Sequence, residues 1–512
     1  MGRVPGTPGK NDVVRSILFA SAMAALLSAC GGGSGSADST SDTNIAPIVA
    51  APPAPAPAPA PEPAPAPATA PAAAPASDET CSLAALPTKP SAAKTITDYG
   101  VDPSDTKDQT TAIQAALDAM KPGEWMVFPA GTYRHSESLR VRVPGVVLSG
   151  EGATLLATNP DDTAMMMQAD DSSLYGFRLH TVTEKRGSAL RHARIVIAPP
   201  GNTSGPRVKG VTVRQNIVEN GGAPGTALAN GSSASGIFIY HADTFLVAEN
   251  TVKRTLADAI HTTGGSMNGR VLKNTVRENG DDMIAVVSYM ASEGTSISSM
   301  TSSMEKIREQ RLNRNILISD NDVKGQYWGR GITVVGGENV TIQNNRISDT
   351  THGAGVLLAR ESGYLSFGVR DVIVRNNTIQ NVQTTAPEYS VGDKASRPKT
   401  GHAGIEVHSL ATSEDLSNST FAAAIAVEQV LLENNTVSGT RADGIRLGVG
   451  GGRVGTSGVV GNKVESVSKA ALNVIDANNH CEANTDEGNP TTSNRCSASR
   501  PTVTGATLTC SA

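Results

Sequence analysis

The 512-residue sequence predicts an all-β fold, a single-stranded parallel β-helix running from about residue 95 to 480. Three observations predict it. The first is a recurring pattern, apolar-x-apolar-x-x-Asn-x-apolar. Its first clear copy is Val211-Thr212-Val213-Arg214-Gln215-Asn216-Ile217-Val218, and later copies centre on Asn250, Asn274, Asn321, Asn345, Asn377, Asn435 and Asn462. The second is the spacing. Asn250 and Asn274 are 24 residues apart, as are Asn321 and Asn345, a length that suits one coil of three short strands. The third is composition. With 51 glycines and only 3% aromatics, the chain is poor in the large side chains a helical protein of this size needs. Coils stacked in rows of Val, Ile and Asn tolerate that composition. A net charge of -5 argues against a general nucleic-acid binder.

Taken in order, the chain opens with Lys10 and Arg15 ahead of an apolar run from Ile17 to Leu27. That run is too short to span a bilayer and has the length of a signal-peptide core. It ends Leu27-Ser28-Ala29-Cys30, which resembles a bacterial lipoprotein signal covering residues 1–30. The resemblance implies export, lipidation of Cys30 and anchoring at the cell envelope, at the outer membrane or cell surface. Residues 31–80 are first Gly/Ser-rich and then Ala/Pro-rich, a spacer biased to extended polyproline conformation. Cys81, Cys481, Cys496 and Cys510 remain, an even count that suggests two disulfides in an exported protein. Cys481 with Cys496 is the preferred pair because its loop is short; Cys81 is left unassigned. All four flank the repeats, so they are expected to staple the ends. Residues 481–512 form a Cys-containing tail.

Asp108 is a plausible N-cap for a helix whose apolar positions are Ile113, Ala116, Leu117 and Met120. Pro122-Gly123 ends it. Then come Trp125 to Phe128, Pro129-Ala130-Gly131-Thr132-Tyr133, and Val146 to Leu155. This order resembles the opening of pectate-lyase-superfamily right-handed β-helix proteins, including phage tailspikes. In them a short helix caps the first coil and a Phe-Pro-Ala-Gly-Thr-Tyr turn begins the winding. The resemblance implies the pectin-lyase-like solenoid and no particular activity.

The repeated asparagines are expected to bond one another along the stack and to cap turns in left-handed conformation. A second recurring strand carries the candidate chemistry. Its inward pairs are Ile237/Ile239, Ile260/Thr262, Ile284/Val286, Ile332/Val334, Val356/Leu358, Ile405/Val407 and Ile445/Leu447. Between them lie Phe238, His261, Ala285, Thr333, Leu357, Glu406 and Arg446. Two residues before each pair stand Ser235, Asp258, Asp282, Arg330, Ala354, Ala403 and Asp443. A row of buried charges is costly, so this column is expected at the turn, facing solvent. With coils about 4.8 Å apart, Asp258 and Asp282 approach closely enough that one carboxyl should hold its proton. That supplies a general acid at neutral pH. Asn279-Gly280-Asp281-Asp282 is also ordinary turn chemistry. Arg330 would favour a neighbour's ionised form or bind an anionic substrate.

The cluster resembles the polygalacturonase family of glycoside hydrolases, which carries Asn-Thr-Asp-Gly, Gly-Asp-Asp-Cys-Ile-Ala-Ile, Gly-His-Gly and Arg-Ile-Lys in that order. Gly280-Asp281-Asp282-Met283-Ile284-Ala285-Val286 matches the second motif with Met for Cys. Leu256-Ala257-Asp258-Ala259-Ile260 keeps the aspartate of the first. Gly329-Arg330-Gly331 has Arg for the family's His. The fourth motif is missing, although Arg360 follows Gly355-Val356-Leu357-Leu358-Ala359. The resemblance implies that one of Asp258, Asp281 and Asp282 protonates the glycosidic oxygen while the others activate water for inversion. His261, Arg330, Arg360, Glu406, His408 and Arg446 are the candidate substrate-binding residues.

Three interruptions of the repeat, 288–313, 383–401 and 409–424, are placed to wall a cleft, the first with a helix from Met304 to Arg311. Lys185, Arg186, Arg191, His192 and Arg194 form a basic stretch that could hold an acidic chain or simply be solvated. The leading expectation is an exported, membrane-anchored monomer that hydrolyses an acidic polysaccharide without a cofactor. A uronate lyase or epimerase, with Ca²⁺ as its possible cation, and a non-catalytic glycan-binding solenoid are the alternatives.

Overall fold

A computed structural model describes residues 81–510, apart from 182–188, 202–204, 220–226, 229–234, 292–294, 386–389, 392–398, 449–451, 453, 476–477, 487–495 and 497. The signal, Cys30 and the spacer lie outside the described residues. So do Lys185 and Arg186 and much of the 383–401 insertion.

Each coil gives one strand to each of three parallel sheets, of 16, 11 and 11 strands. One coil is Met267–Leu272, Thr275–Asn279 and Ile284–Val287. The next is Arg314–Ser319, Asp322–Gln326 and Ile332–Val335, paired with it in register on all three faces. The inward columns align as the alternation predicts. Ile260, Ile284, Ile332, Val356, Ile405 and Ile445 are successive neighbours in one sheet, and all are buried. Inter-coil pairing holds all six in one row, so a single inward column is one continuous core.

The asparagine ladder forms as expected. From Asn216 through Asn462 each side-chain amide donates to the next asparagine's Oδ1 at 2.9–3.1 Å, and Asn484 extends the row. The left-handed residue is not the asparagine but the one before it: Gln215, Glu249, Lys273, Asp320, Asn344, Asn376, Asn434 and Gly461 all have φ between 54° and 64°. Each asparagine is thereby freed to bond both the ladder and the backbone.

Helix α1 spans Thr110–Asp118 and caps the first coil. Asp108 stands one residue before the cap position, yet its Oδ1 accepts the Thr110 N–H at 3.0 Å. The 288–313 interruption holds α2 (Ile297–Thr301) and the expected α3 (Met304–Arg311). The 409–424 interruption, read as a loop, holds α4 (Ser413–Ser417) and α5 (Ser419–Ala424), because Thr412 and Asp415 form a capping box. Met290, Met300, Met304, Phe367 and Phe421 join these insertions in one apolar cluster. On another side, Ala227–Leu228 pairs with Ser390–Val391. Among the described residues, no helix is long and apolar enough to cross a membrane.

Cys481 pairs with Cys496, as preferred. Cys81 pairs with Cys510, and not at an end of the solenoid. The tail lies across the outside of the 16-stranded sheet, with Ala506 bonded to Thr341, Thr507 to Asn315 and Thr509 to Arg270. The bridge packs at mid-length against Ala248, Leu272 and Leu317.

Candidate active site

The column beside the inward residues is not solvent-facing. Asp282 is only 4% exposed, Asp443 3%, and the Asp258 side chain 14%. The expectation failed because each carboxylate finds a partner that only the coil register creates. Asp258 Oδ1 accepts the N–H of Asp282 at 2.9 Å. Asp282 Oδ1 accepts the N–H of Arg330 at 2.6 Å, and Asp443 Oδ1 that of Ala470 at 3.0 Å. Each aspartate thus ties its own turn to the next coil. Gly329 makes room for this: a Cβ there would lie 2.3 Å from Asp282 Oδ1.

The structure brings the three predicted aspartates together. One oxygen each of Asp258, Asp281 and Asp282 lies within 4.8 Å of the others. Burial drives the Asp282 carboxyl well above the usual carboxylate range. The Arg330 charge opposes that shift, and the charges of Asp281 and Asp258 add to it. Asp258 Oδ2 bonds His261 Nδ1 at 2.5 Å, so the imidazole is fixed at one nitrogen. Its ring stacks flat on Phe238 with centroids 4.8 Å apart, and its Nε2 is buried without a hydrogen-bond partner.

Two residues that the sequence reading missed close the cluster. Glu361, just past the strand Val356–Arg360, pairs with Arg330 Nη2. Tyr289, at the head of the first insertion, packs against the apolar cluster that includes Ala285 and Leu357. Burial raises its phenol above the ordinary range, and the charges of Asp258, Glu361, Asp282 and Asp281 add to the shift. Its place at the head of an insertion adjoining the double aspartate was the available signal for it. Glu361 had none, since its partner lies 31 residues away and one coil off.

Arg360 is not a substrate-facing cation. It is fully buried and binds the Leu410 carbonyl and Asp415, tying the α4 segment to the sheet. Glu406, His408 and Arg446 form a second cluster on the same sheet. Glu406 is fully buried and accepts Arg446 Nε at 3.0 Å and Nη2 at 2.9 Å. His408 Nδ1 lies 3.3 Å from its Oε1, and Arg446 also reaches Asp443 at 3.3 Å. Burial works against ionisation of Glu406, but these partners hold its carboxyl below the usual range. His402, at the position equivalent to Asp281, was also missed. Burial holds its imidazole down at about 3.

The three aspartates are close enough to share a cation. Calcium, however, asks for six to eight oxygens. Here both Asp258 oxygens are engaged, Asp282 favours its proton, and the Arg330 guanidinium stands 3.6 Å from Asp282 Oδ2. The donor set suits proton transfer and fits Ca²⁺ poorly. The oxygen separations are also shorter than the roughly 6.5–9.5 Å between carboxyls of an inverting pair.

Residues 94–186 match the family described as rhamnogalacturonase A/epimerase, pectate lyase-like, and residues 291–425 match the right-handed β-helix region family. No curated protein matches the chain by sequence. Among solved structures, the Agl-KA catalytic domain superposes with a TM-score of 0.54 at 14% identity, covering 80% of this chain and 69% of that one. The catalytic domain of GH87 α-1,3-glucanase in complex with nigerose gives 0.50 at 15% identity, covering 75% and 68%. The A-module of an Azotobacter vinelandii mannuronan C-5 epimerase gives 0.48 at 16% identity, covering 77% and 99%. The chain is a pectate-lyase-like right-handed parallel β-helix, a fold shared with carbohydrate-active enzymes.

Proposed function

We propose that the protein hydrolyses glycosidic bonds of a polysaccharide at the Asp258–Asp281–Asp282 cluster. One observation carries the reading: a buried carboxyl that favours its proton stands beside two further carboxylates. Asp282 donates that proton to the leaving glycosidic oxygen. Asp281, the less buried of the adjacent pair, activates water or attacks the sugar. Asp258 holds the Asp282 backbone and orients His261.

A second reading, elimination or epimerisation at a uronate, is favoured by His261. With Nδ1 on Asp258 and Nε2 unpartnered, it has the arrangement of a general base. A polysaccharide screen that follows reducing ends and ultraviolet absorbance together separates the two. New reducing ends without an unsaturated chromophore support hydrolysis; both signals together mean elimination. The anomer released first, read by NMR, distinguishes inversion from retention. Export and lipid anchoring at Cys30 belong to the same proposal. Cys30→Ser should shift the protein from the membrane fraction to the soluble one, and a mutant still in the membrane fraction would remove the anchor.

A further inference from the structure

Two arginines along the face of the catalytic sheet are each held by two carboxylates, and a third by one. Arg330 is bonded to Glu361 and lies 3.6 Å from Asp282. Arg446 is bonded to Glu406 and Asp443. Arg360 is buried against Asp415. Around the acid cluster this leaves the carboxylates of Asp258, Asp281 and Glu361, beside the protonated Asp282, facing one arginine. Among the described residues, the other cations along this face include Arg191, exposed two coils before Asp258, and Lys399 and Arg441, exposed at the rim of the second cluster. That rim is three coils from Asp282 along the sheet, roughly 14 Å at one coil per 4.8 Å.

A uronate carboxylate entering such a site would lose its hydration and meet like charge, with no cation released to receive it. An uncharged sugar meets neither cost, and its hydroxyls can bond the same carboxylates. We infer that the sugar units on either side of the scissile bond are uncharged, so the substrate is a neutral polysaccharide rather than a polyuronate. This rests on the reading of the aspartate cluster as a glycoside-cleaving site, and it replaces the acidic substrate expected from the sequence. Arg330, the cation that the sequence placed beside the aspartates, is already occupied by Glu361.

The test uses the full chain and two probes, an α-1,3-linked glucotetraose and a tetragalacturonate, in cleavage and in binding to Asp282→Asn. Neutral glucans should be cut and bound in preference to polyuronates, with the preference shrinking as salt screens the repulsion. Preferred cleavage or binding of the polyuronate would overturn the inference and leave hydrolysis standing. No cleavage of either, with a neutral preference in binding, would remove hydrolysis and leave the charge selection standing. Glu361→Gln releases Arg330 from one carboxylate. It should raise tetragalacturonate affinity about tenfold, the scale of one charge-assisted hydrogen bond. An unchanged affinity in that variant would also overturn the inference.

Discussion

Two clusters sit on one sheet, in the same columns, and behave oppositely. Asp258 and His261 are related as Asp443 and Arg446 are, three residues apart and bonded to each other. Asp258 and Asp443 both accept a backbone N–H from the next coil. In the Glu406 cluster, Arg446 lies between two carboxylates and His408 adds a third contact, so Glu406 stays ionised despite complete burial. In the Asp282 cluster, burial and two neighbouring aspartates outweigh one shared arginine, so the carboxyl keeps its proton. The scaffold geometry is common to both; the ratio of carboxylates to cations decides whether a position is structural or reactive.

The largest expected effect separates the two directly. Asp282→Asn keeps the acceptor for the Arg330 N–H but cannot donate a proton, so kcat should fall about 10²–10⁴-fold with the fold intact. Asp443→Asn makes the same exchange in the same column and should leave the rate within a few-fold. Equal losses in the two mutants would break the comparison. Next, Arg446→Met strands two buried carboxylates and should destabilise the protein by about 3–5 kcal/mol in chemical denaturation. A mutant as stable as wild type would show that Glu406 does not depend on that charge.

Arg330→Met sharpens the contrast from the other side. Arg330 pulls the Asp282 carboxyl down, so its removal should move the alkaline limb of kcat/KM to higher pH. A limb moving down would assign the titration to another group. The smallest effect concerns His402. An imidazole held at about 3 in the fold titrates near 6.5 when unfolded, so the unfolded chain takes up the extra proton between those values. Stability from this group is therefore present above pH 6.5 and lost as pH falls toward 3. His402→Gln should lower Tm less than wild type does between pH 7 and pH 4; equal losses would place the acid sensitivity elsewhere.

The fold was readable because its signals are local and repeated. Alternation of period two set the inward columns, and the Asn216–Asn462 series set the coil. The identity of the three aspartates was readable for the same reason. Their burial was not, because the N–H groups that donate to Asp258 and Asp282 belong to neighbouring coils. The closure by Glu361 and Tyr289 was hidden too, since both come from turns whose sequence has no period. Arg360 shows the converse error: a cation at a strand end looks available until the insertion that carries Asp415 folds back over it.

The bridge between Cys81 and Cys510 gives the molecule an unusual mechanical connectivity. It closes residues 81–510 into a covalent ring whose fastening lies at mid-length, on a different sheet from the aspartates. A solenoid pulled by one terminus yields by peeling its outermost coil, then the next. A pull applied at Cys81 instead has two paths. One runs forward into the first coil, the other through the sulfurs and the tail into the last, and the load divides between them. A protein held by its N-terminal side would therefore resist drag from a bulky polymer as a ring held at its waist.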